Sequence, residues 1–418
     1  MSSTAWRVFL LIGTWMVASG CERNASSSRP SATPPSAAGG AGADAAAQLP
    51  PPRTTGGAIA LHNFEAALAE AERRLTAQPT DPTRLRDMVD MRMMRAQFLG
   101  VLADYDKALE LADQLVKAAP EDAQAYLKRA SVRGRLHRFD EALADLAEAE
   151  RRGVKGPSID EPRAAILQAT GQGDEALKLH RAAAETRPSL ETLAGLAGLM
   201  AEAGKFEEAE KLYTQARAAY RDVSPFPVAW LEFQEGLLWE SAGNMERAGK
   251  SWAAAHARLP VYTAAATHLA EVEAAAGRKE KAIALVKGAL ERSDDPEYQA
   301  QLAGLLRETG KEAEAQALLA KAKAGFEHWT ARHPLAFADH AAHFWLGLGA
   351  DPKKALALAE TNLSARRTVE ALELYTEAVK AADAKAQGCK TVQGLLASGQ
   401  TLAPALTERA RTVVADCR

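Results

Sequence analysis

Gly204–Ala216 reads G-K-F-E-E-A-E-K-L-Y-T-Q-A, and this phrase returns along the chain. A tight turn at Gly204 opens a helix whose small residues, Ala209 and Ala216, stand about two helical turns apart. Variants occur at Phe139–Ala149, Gly171–Ala183 and Gly277–Ala289. Aligned on the first alanine of that helix, the series is Ala67, Ala108, Ala142, Ala176, Ala209, Ala248, Ala282, Ala315 and Ala355. Successive steps are 41, 34, 34, 33, 39, 34, 33 and 40 residues. A spacing that keeps returning to 33–34 marks a helical solenoid, in which no unit can bury its apolar face without a neighbour.

Two helices approach closely only where the residues between them are small. In the copy that starts at Ala229, Gly236 lies on the first helix and Gly243 ends it. Ala248 opens the second helix, Trp252 and Ala255 face back, and Pro260 stops it. Proline cannot continue a helix, since it lacks the N–H and clashes with the preceding turn. Pro79, Pro120, Pro188 and Pro260 all fall twelve residues after their marker alanine.

This pattern resembles the tetratricopeptide-repeat (TPR) family, with a small residue at position 8, Ala at 20, a large residue at 24, Ala at 27 and Pro at 32. Gly236, Ala248, Trp252, Ala255 and Pro260 fill those slots; Ala197, Ala209, Tyr213 and Ala216 fill the first four one repeat earlier. The resemblance covers roughly Leu61 to Leu363. It implies an all-α fold, a TPR-type helix-turn-helix solenoid wound as a right-handed superhelix, and binding rather than a reaction. The expected organisation is a leader at 1–20, a disordered linker at 21–57, eight to nine repeats at 58–365, and a degenerate repeat with capping helices at 366–418.

The front of the chain has a different character. Met1–Gly20 carries one positive charge, Arg7, then an apolar run Val8–Val17, then Ala18-Ser19-Gly20-Cys21. That is the pattern of a secretory signal with a small-residue cleavage site. The apolar run is too short to span a bilayer core of ~30 Å. Cysteine after Ala-Ser-Gly resembles a bacterial lipobox, which implies acylation of Cys21, a lipid anchor in the envelope of a diderm bacterium, and a place at the outer membrane facing the periplasm. From Glu22 the residues are Ser, Pro, Ala and Gly without apolar periodicity, the composition of a flexible tether.

Without the leader, 50 basic residues (51 less Arg7) stand against 54 acidic ones, a formal charge of −4. No basic stripe is present, so nucleic acid is not an expected partner. The sequence holds no H-E-x-x-H, G-x-S-x-G, Walker loop or C-x-x-C, and neither a catalytic residue nor a cofactor is expected. Gly171-Gln172-Gly173-Asp174-Glu175-Ala176 matches G-x-G-x-x-A, yet no strand precedes it and its phase is that of an interhelical turn. Chaperone-binding TPR proteins clamp a carboxylate with Lys and Asn on inner helices. The four asparagines here (Asn24, Asn63, Asn244, Asn362) do not supply that clamp.

Four groups of residues remain as candidates. Met88, Met91, Met93 and Met94 could bind copper or fill the core; interleaving with Arg92 and Arg95 favours the core. First-helix positions 2, 5 and 9 line the groove in the TPR family, which implies Trp230, Phe233 and Leu237 as anchors for a protein or peptide partner. His328, His333, His340 and His343 gather late in the chain, and His340 and His343 are spaced to share a metal on one helix face. Packed or solvated histidines are the favoured reading of that group. Once Cys21 is lipidated, Cys389 and Cys417 remain, and an exported chain favours a bridge between them. The expected function is a lipid-anchored adaptor holding a peptide or protein in its concave groove, in support of envelope, cell-wall or secretion machinery. A metal- or small-ligand-binding protein using the His328–His343 group is the alternative.

Overall fold

The computed structural model describes residues 52–398, 402 and 404–417. The leader at 1–20, Cys21 and all but the last few residues of the 21–57 linker lie outside the described residues. The described residues form helices joined by short turns, without a strand. None of these helices is long and apolar enough to cross a membrane.

A single helix, α1 (Gly57–Ala77), precedes a run of antiparallel pairs. These are α2 (Pro82–Leu99) with α3 (Ala103–Ala118), α4 (Ala123–Arg135) with α5 (Phe139–Arg151), and α6 (Pro157–Ala169) with α7 (Gly173–Thr186). Then come α8 (Leu190–Glu202) with α9 (Phe206–Ala219), α10 (Pro225–Ser241) with α11 (Met245–Arg258), and α12 (Thr263–Ala275) with α13 (Lys279–Leu290). The last pairs are α14 (Pro296–Glu308) with α15 (Glu312–Arg332) and α16 (Pro334–Leu346) with α17 (Pro352–Ala365). A terminal cluster of α18 (Val369–Ala381), α19 (Lys385–Ala397) and α20 (Pro404–Ala415) follows.

Helix starts follow from capping chemistry. Asp81 accepts from the Arg84 amide ahead of α2, and Asp295 from the Glu297 amide ahead of α14, each with proline in the first turn. Ser189 and Thr192 form a reciprocal box at α8. The chain after α5 becomes helical again at Pro157, with Pro162 inside that helix. A proline so near the start removes few backbone hydrogen bonds, and Ile159 and Ile166 bury the helix in the core.

The marker alanines from Ala108 to Ala355 are buried at the helix crossings. Ala67 is the exception and is exposed. With no helix before it among the described residues, α1 turns Ala60, Leu61, Phe64 and Leu68 inward instead. Gly236 shows why the slot before the turn must be small. A Cβ there would lie 2.0 Å from Nε1 of the buried Trp252. The turn phase takes glycine with positive φ at Gly171, Gly204, Gly243, Gly277 and Gly310, whereas His137, Ala350 and Asp383 adopt the same left-handed backbone without it.

The three long steps, 41, 39 and 40, are where the chain meets itself after a full winding. In the first, Gly100 accepts from the Ser293 hydroxyl at 2.8 Å, and the Leu102 amide donates to Asp294 at 2.5 Å. In the second, the Thr55 amide donates to the Val223 carbonyl at 2.7 Å, and Phe226 packs on Phe64 and Phe98. In the third, Arg332 and His333 reach Asp106, and His137 Nδ1 pairs with the Leu335 carbonyl at 2.9 Å. The side-chain bonds of this seam join residues 192 to 227 apart in sequence.

The G-x-G-x-x-A stretch is a helix-to-helix turn pressed on the same seam; a Cβ on Gly171 would lie 1.9 Å from the Arg367 carbonyl oxygen, which leaves no room for a phosphate. Met88 and Met93 are buried in the core, while Arg92 and Arg95 converge on the fully buried Asp104. At the far end Cys389 and Cys417 are joined by a disulfide, with Cα atoms 5.9 Å apart, beside the buried Val392, Leu406 and Ala410.

Gly236→Ala will destabilise the protein by about 1–3 kcal/mol through the forced displacement of Trp252. Gly198→Ala, where a Cβ meets nothing within 4 Å, will stabilise it by roughly 0.5–1 kcal/mol. Denaturant melts of the two variants against wild type check the opposite signs.

Candidate functional site

Most residues that line the cavities of the middle and later repeats lie on the first helix of each pair. Position 1 lies nineteen residues before each marker alanine, which gives Ala229, Thr263, Pro296 and Ala336 for the four pairs from α10 to α17. Positions 2, 5 and 9 are then Trp230, Phe233 and Leu237 on α10, and Ala264, Thr267 and Glu271 on α12. They are Glu297, Ala300 and Gly304 on α14, and Phe337, His340 and Phe344 on α16. All twelve line a cavity.

Their accessibility differs along the wall. Trp230 and Phe233 are only 4% and 2% exposed, so the expectation of free anchors there is corrected. They border a cavity of about 150 Å³ closed by α2 and α4 from the first repeats. Phe233 also packs on Tyr262 and His268, and Phe98 covers Tyr262 from the other side. Leu237 is half-buried beside a separate cavity of about 250 Å³.

The roomier space lies further along, a cavity of about 540 Å³ between α10, α12, α14 and α16. Its lining mixes apolar residues, among them Ala270, Ala300, Leu305, Phe326 and Phe344, with the carboxylates of Glu240, Glu271, Glu297 and Glu308. Among the described residues, no lysine or arginine lines it. Burial and the neighbouring Glu240 and Glu297 push the Glu271 carboxyl well above the usual range. Burial pushes the His268 imidazole down to about 4, so it is neutral near pH 7.

Glu297 and His340 separate the two cavities. His340 Nδ1 lies 3.0 Å from Glu297, and its Nε2 lies 3.8 Å from Asp339. Burial alone would lower the imidazole, but Asp339 and Glu297 hold it at about 10, charged through the neutral range. Burial would likewise raise Asp339, yet His340 and Arg366, the latter at 2.9 Å, hold it at about 2. His340 thus belongs to an ionic lattice linking α14, α16 and the end of α17.

The four late histidines do not assemble. His333 pairs with Asp106 across the seam at 2.6 Å, His340 with Glu297, and His343 faces the large cavity, while His328 is exposed beside Trp329. The metal reading of the His328–His343 group is corrected accordingly. One turn of helix separates His340 from His343, but carboxylates already engage the first. The residues that the large cavity does bring together, Glu240, His268, Glu271 and Glu297, went unnamed at the level of sequence. Carrying the 2-5-9 count past α10 would have reached Glu271, Glu297 and His340.

No described protein family matches the sequence, and no curated protein matches it. Among solved structures, the APC/C hetero-tetramer Cut9–Hcn1 supplies a chain similar at a TM-score of 0.46 and 14% identity, over 75% of this chain and 59% of that one. This chain therefore spans well under two thirds of that neighbour's length. A tetratricopeptide repeat protein from Parabacteroides merdae ATCC 43184 is similar at 0.38 and 16% identity, over 53% of this chain and 87% of that one. The human IFIT1 dimer with PPP-AAAA is similar at 0.43 and 16% identity, over 62% and 68%. The described residues fold as an all-α solenoid of antiparallel helix pairs.

His340→Gln leaves Glu297 and Asp339 facing each other across a neutral amide, a loss of ~3 kcal/mol or more for a buried pair deprived of one partner. A histidine raised to about 10 contributes stability that is full below its unfolded value of 6.5 and is lost as pH climbs through 10. The stability gap between wild type and His340→Gln will therefore be widest near pH 6 and shrink toward pH 10, as thermal melts across that range will show.

Proposed function

We propose that this chain is a non-enzymatic scaffold that holds an extended segment of a protein partner against the inner wall of α10, α12, α14 and α16. The observation that carries the reading is the cavity of about 540 Å³, lined by regularly spaced positions on α12, α14 and α16 and by Glu240 and Ser241 at the end of α10. A wall that mixes four glutamates with apolar side chains suits a segment with a basic residue next to apolar ones. Grooves of this kind use aromatic and aliphatic pockets for affinity and charge for orientation.

The anchoring half of the reading rests on the sequence: Met1–Gly20 as an export leader and Cys21 as the acylated residue, with the following linker as a tether to the envelope membrane. The paired Cys389 and Cys417 suit an oxidising compartment. Support of assembly in the envelope is the role that such a tethered, outward-reaching groove would serve.

Gly304→Phe separates occupancy from folding, because a Cβ there has only Leu348 at 3.7 Å and the ring will enter the cavity. Peptides selected by display on the wild-type protein are expected to carry Lys or Arg beside apolar residues and to bind at least tenfold more weakly to Gly304→Phe. Equal binding by the two proteins would remove the cavity from the reading. In cells, Cys21→Ser is expected to move the protein from the membrane to the soluble fraction; unchanged fractionation would remove the anchor.

A further inference from the structure

We propose that Glu240, His268 and Glu271 form a divalent transition-metal site of the zinc class at the wall of the large cavity. Each offers a ligand atom, and these atoms lie within 4.8 Å of one another. Ligands around a tetrahedral zinc at ~2.0–2.2 Å stand roughly 3.3–3.6 Å apart, so glutamate rotations of about an ångström close the set. The three side chains come from α10 and α12, which touch where Phe233 of α10 meets Tyr262 and His268.

His268 gives the independent sign of a ligand. It is 3% exposed, its ring is held between Trp252 and Phe233, and its buried Nδ1 has no hydrogen-bond partner. A buried imidazole nitrogen without a partner is costly, and a cation bound at it would meet that need. Outside the set, the Gln301 amide nitrogen on α14 donates to Glu271 at 3.3 Å and to the Thr267 carbonyl at 2.9 Å. Such an outer hydrogen bond orients a metal-bound carboxylate.

The donor set names the class of ion. One imidazole with two carboxylates suits zinc or manganese, whereas calcium and magnesium prefer all-oxygen shells. Three protein ligands leave a position toward the cavity for water or for a donor atom on whatever enters it. The four glutamates on this wall, with no lysine or arginine lining the cavity among the described residues, favour a cation in the same place. This inference does not rest on the protein-partner reading, and Gly304→Phe leaves all three ligands in place.

The test uses the full chain stripped of metal with a chelator and titrated with Zn²⁺ against a chromophoric competitor, and with Co²⁺ for its visible spectrum. One equivalent of Zn²⁺ and a Co²⁺ band typical of four or five ligands are expected. Glu271→Gln and Glu240→Gln, near-isosteric changes, should each weaken binding at least tenfold, while His328→Ala and His343→Ala should not. No binding by the folded wild type would overturn the site, as would equal binding by the Gln variants or a loss confined to His343→Ala. If a variant fails to fold, crystals of the wild type soaked in Zn²⁺ decide the matter. An anomalous peak among Glu240, His268 and Glu271 supports the site, and its absence there overturns it.

Discussion

The seam between the first repeats and the later ones is the constraint on which the rest of the structure depends. A solenoid held by neighbours alone is open along its length, with every inner position available to a partner. Here the Phe64–Phe98–Phe226–Tyr262 aromatic run, the Asp294 and Ser293 bonds to α2's end, and the Asp106–His333 pair tie windings together. The inner wall is consequently divided. Its part near Trp230 and Phe233 becomes interior, and the part near Glu271 and Gly304 keeps the larger space.

That division assigns different work to similar positions. Trp230 and Phe233 occupy the same repeat slots as Glu297 and Ala300, yet the former border the small cavity behind the seam and the latter the large one. Polar groups on the boundary are held by charge rather than apolar contact. His340 stays protonated because Asp339 and Glu297 flank it, and Arg366 completes the lattice from the end of α17. Closing such seams across nearly two hundred residues is entropically slow, so the local helix pairs are expected to form before they dock.

Much of the fold was legible from small residues. Ala108 through Ala355, and Gly236 against Trp252, obey a rule that depends only on how closely two helices can approach. Ala67 failed because no helix precedes α1 among the described residues, and the phrase around it buries another face. The steps of 41, 39 and 40 were visible as irregularities, but their purpose was not, since Thr55 meeting Val223 or Asp106 meeting His333 has no local signature. For the same reason Trp230 and Phe233, expected as groove anchors, are found buried. The His328–His343 count overvalued proximity in sequence, whereas His268 lay alone in the chain and gained its carboxylate neighbours only through helix packing.

Closure is most directly measured as a distance. With Cys21→Ser as background, spin labels replacing Glu65 and Arg292, which pair at 3.0 Å across the seam, report whether the windings touch in solution. A single narrow, short distance that survives moderate salt is the expected result. A broad distribution centred at long distance would show an open spiral, and the divided inner wall would have to be given up.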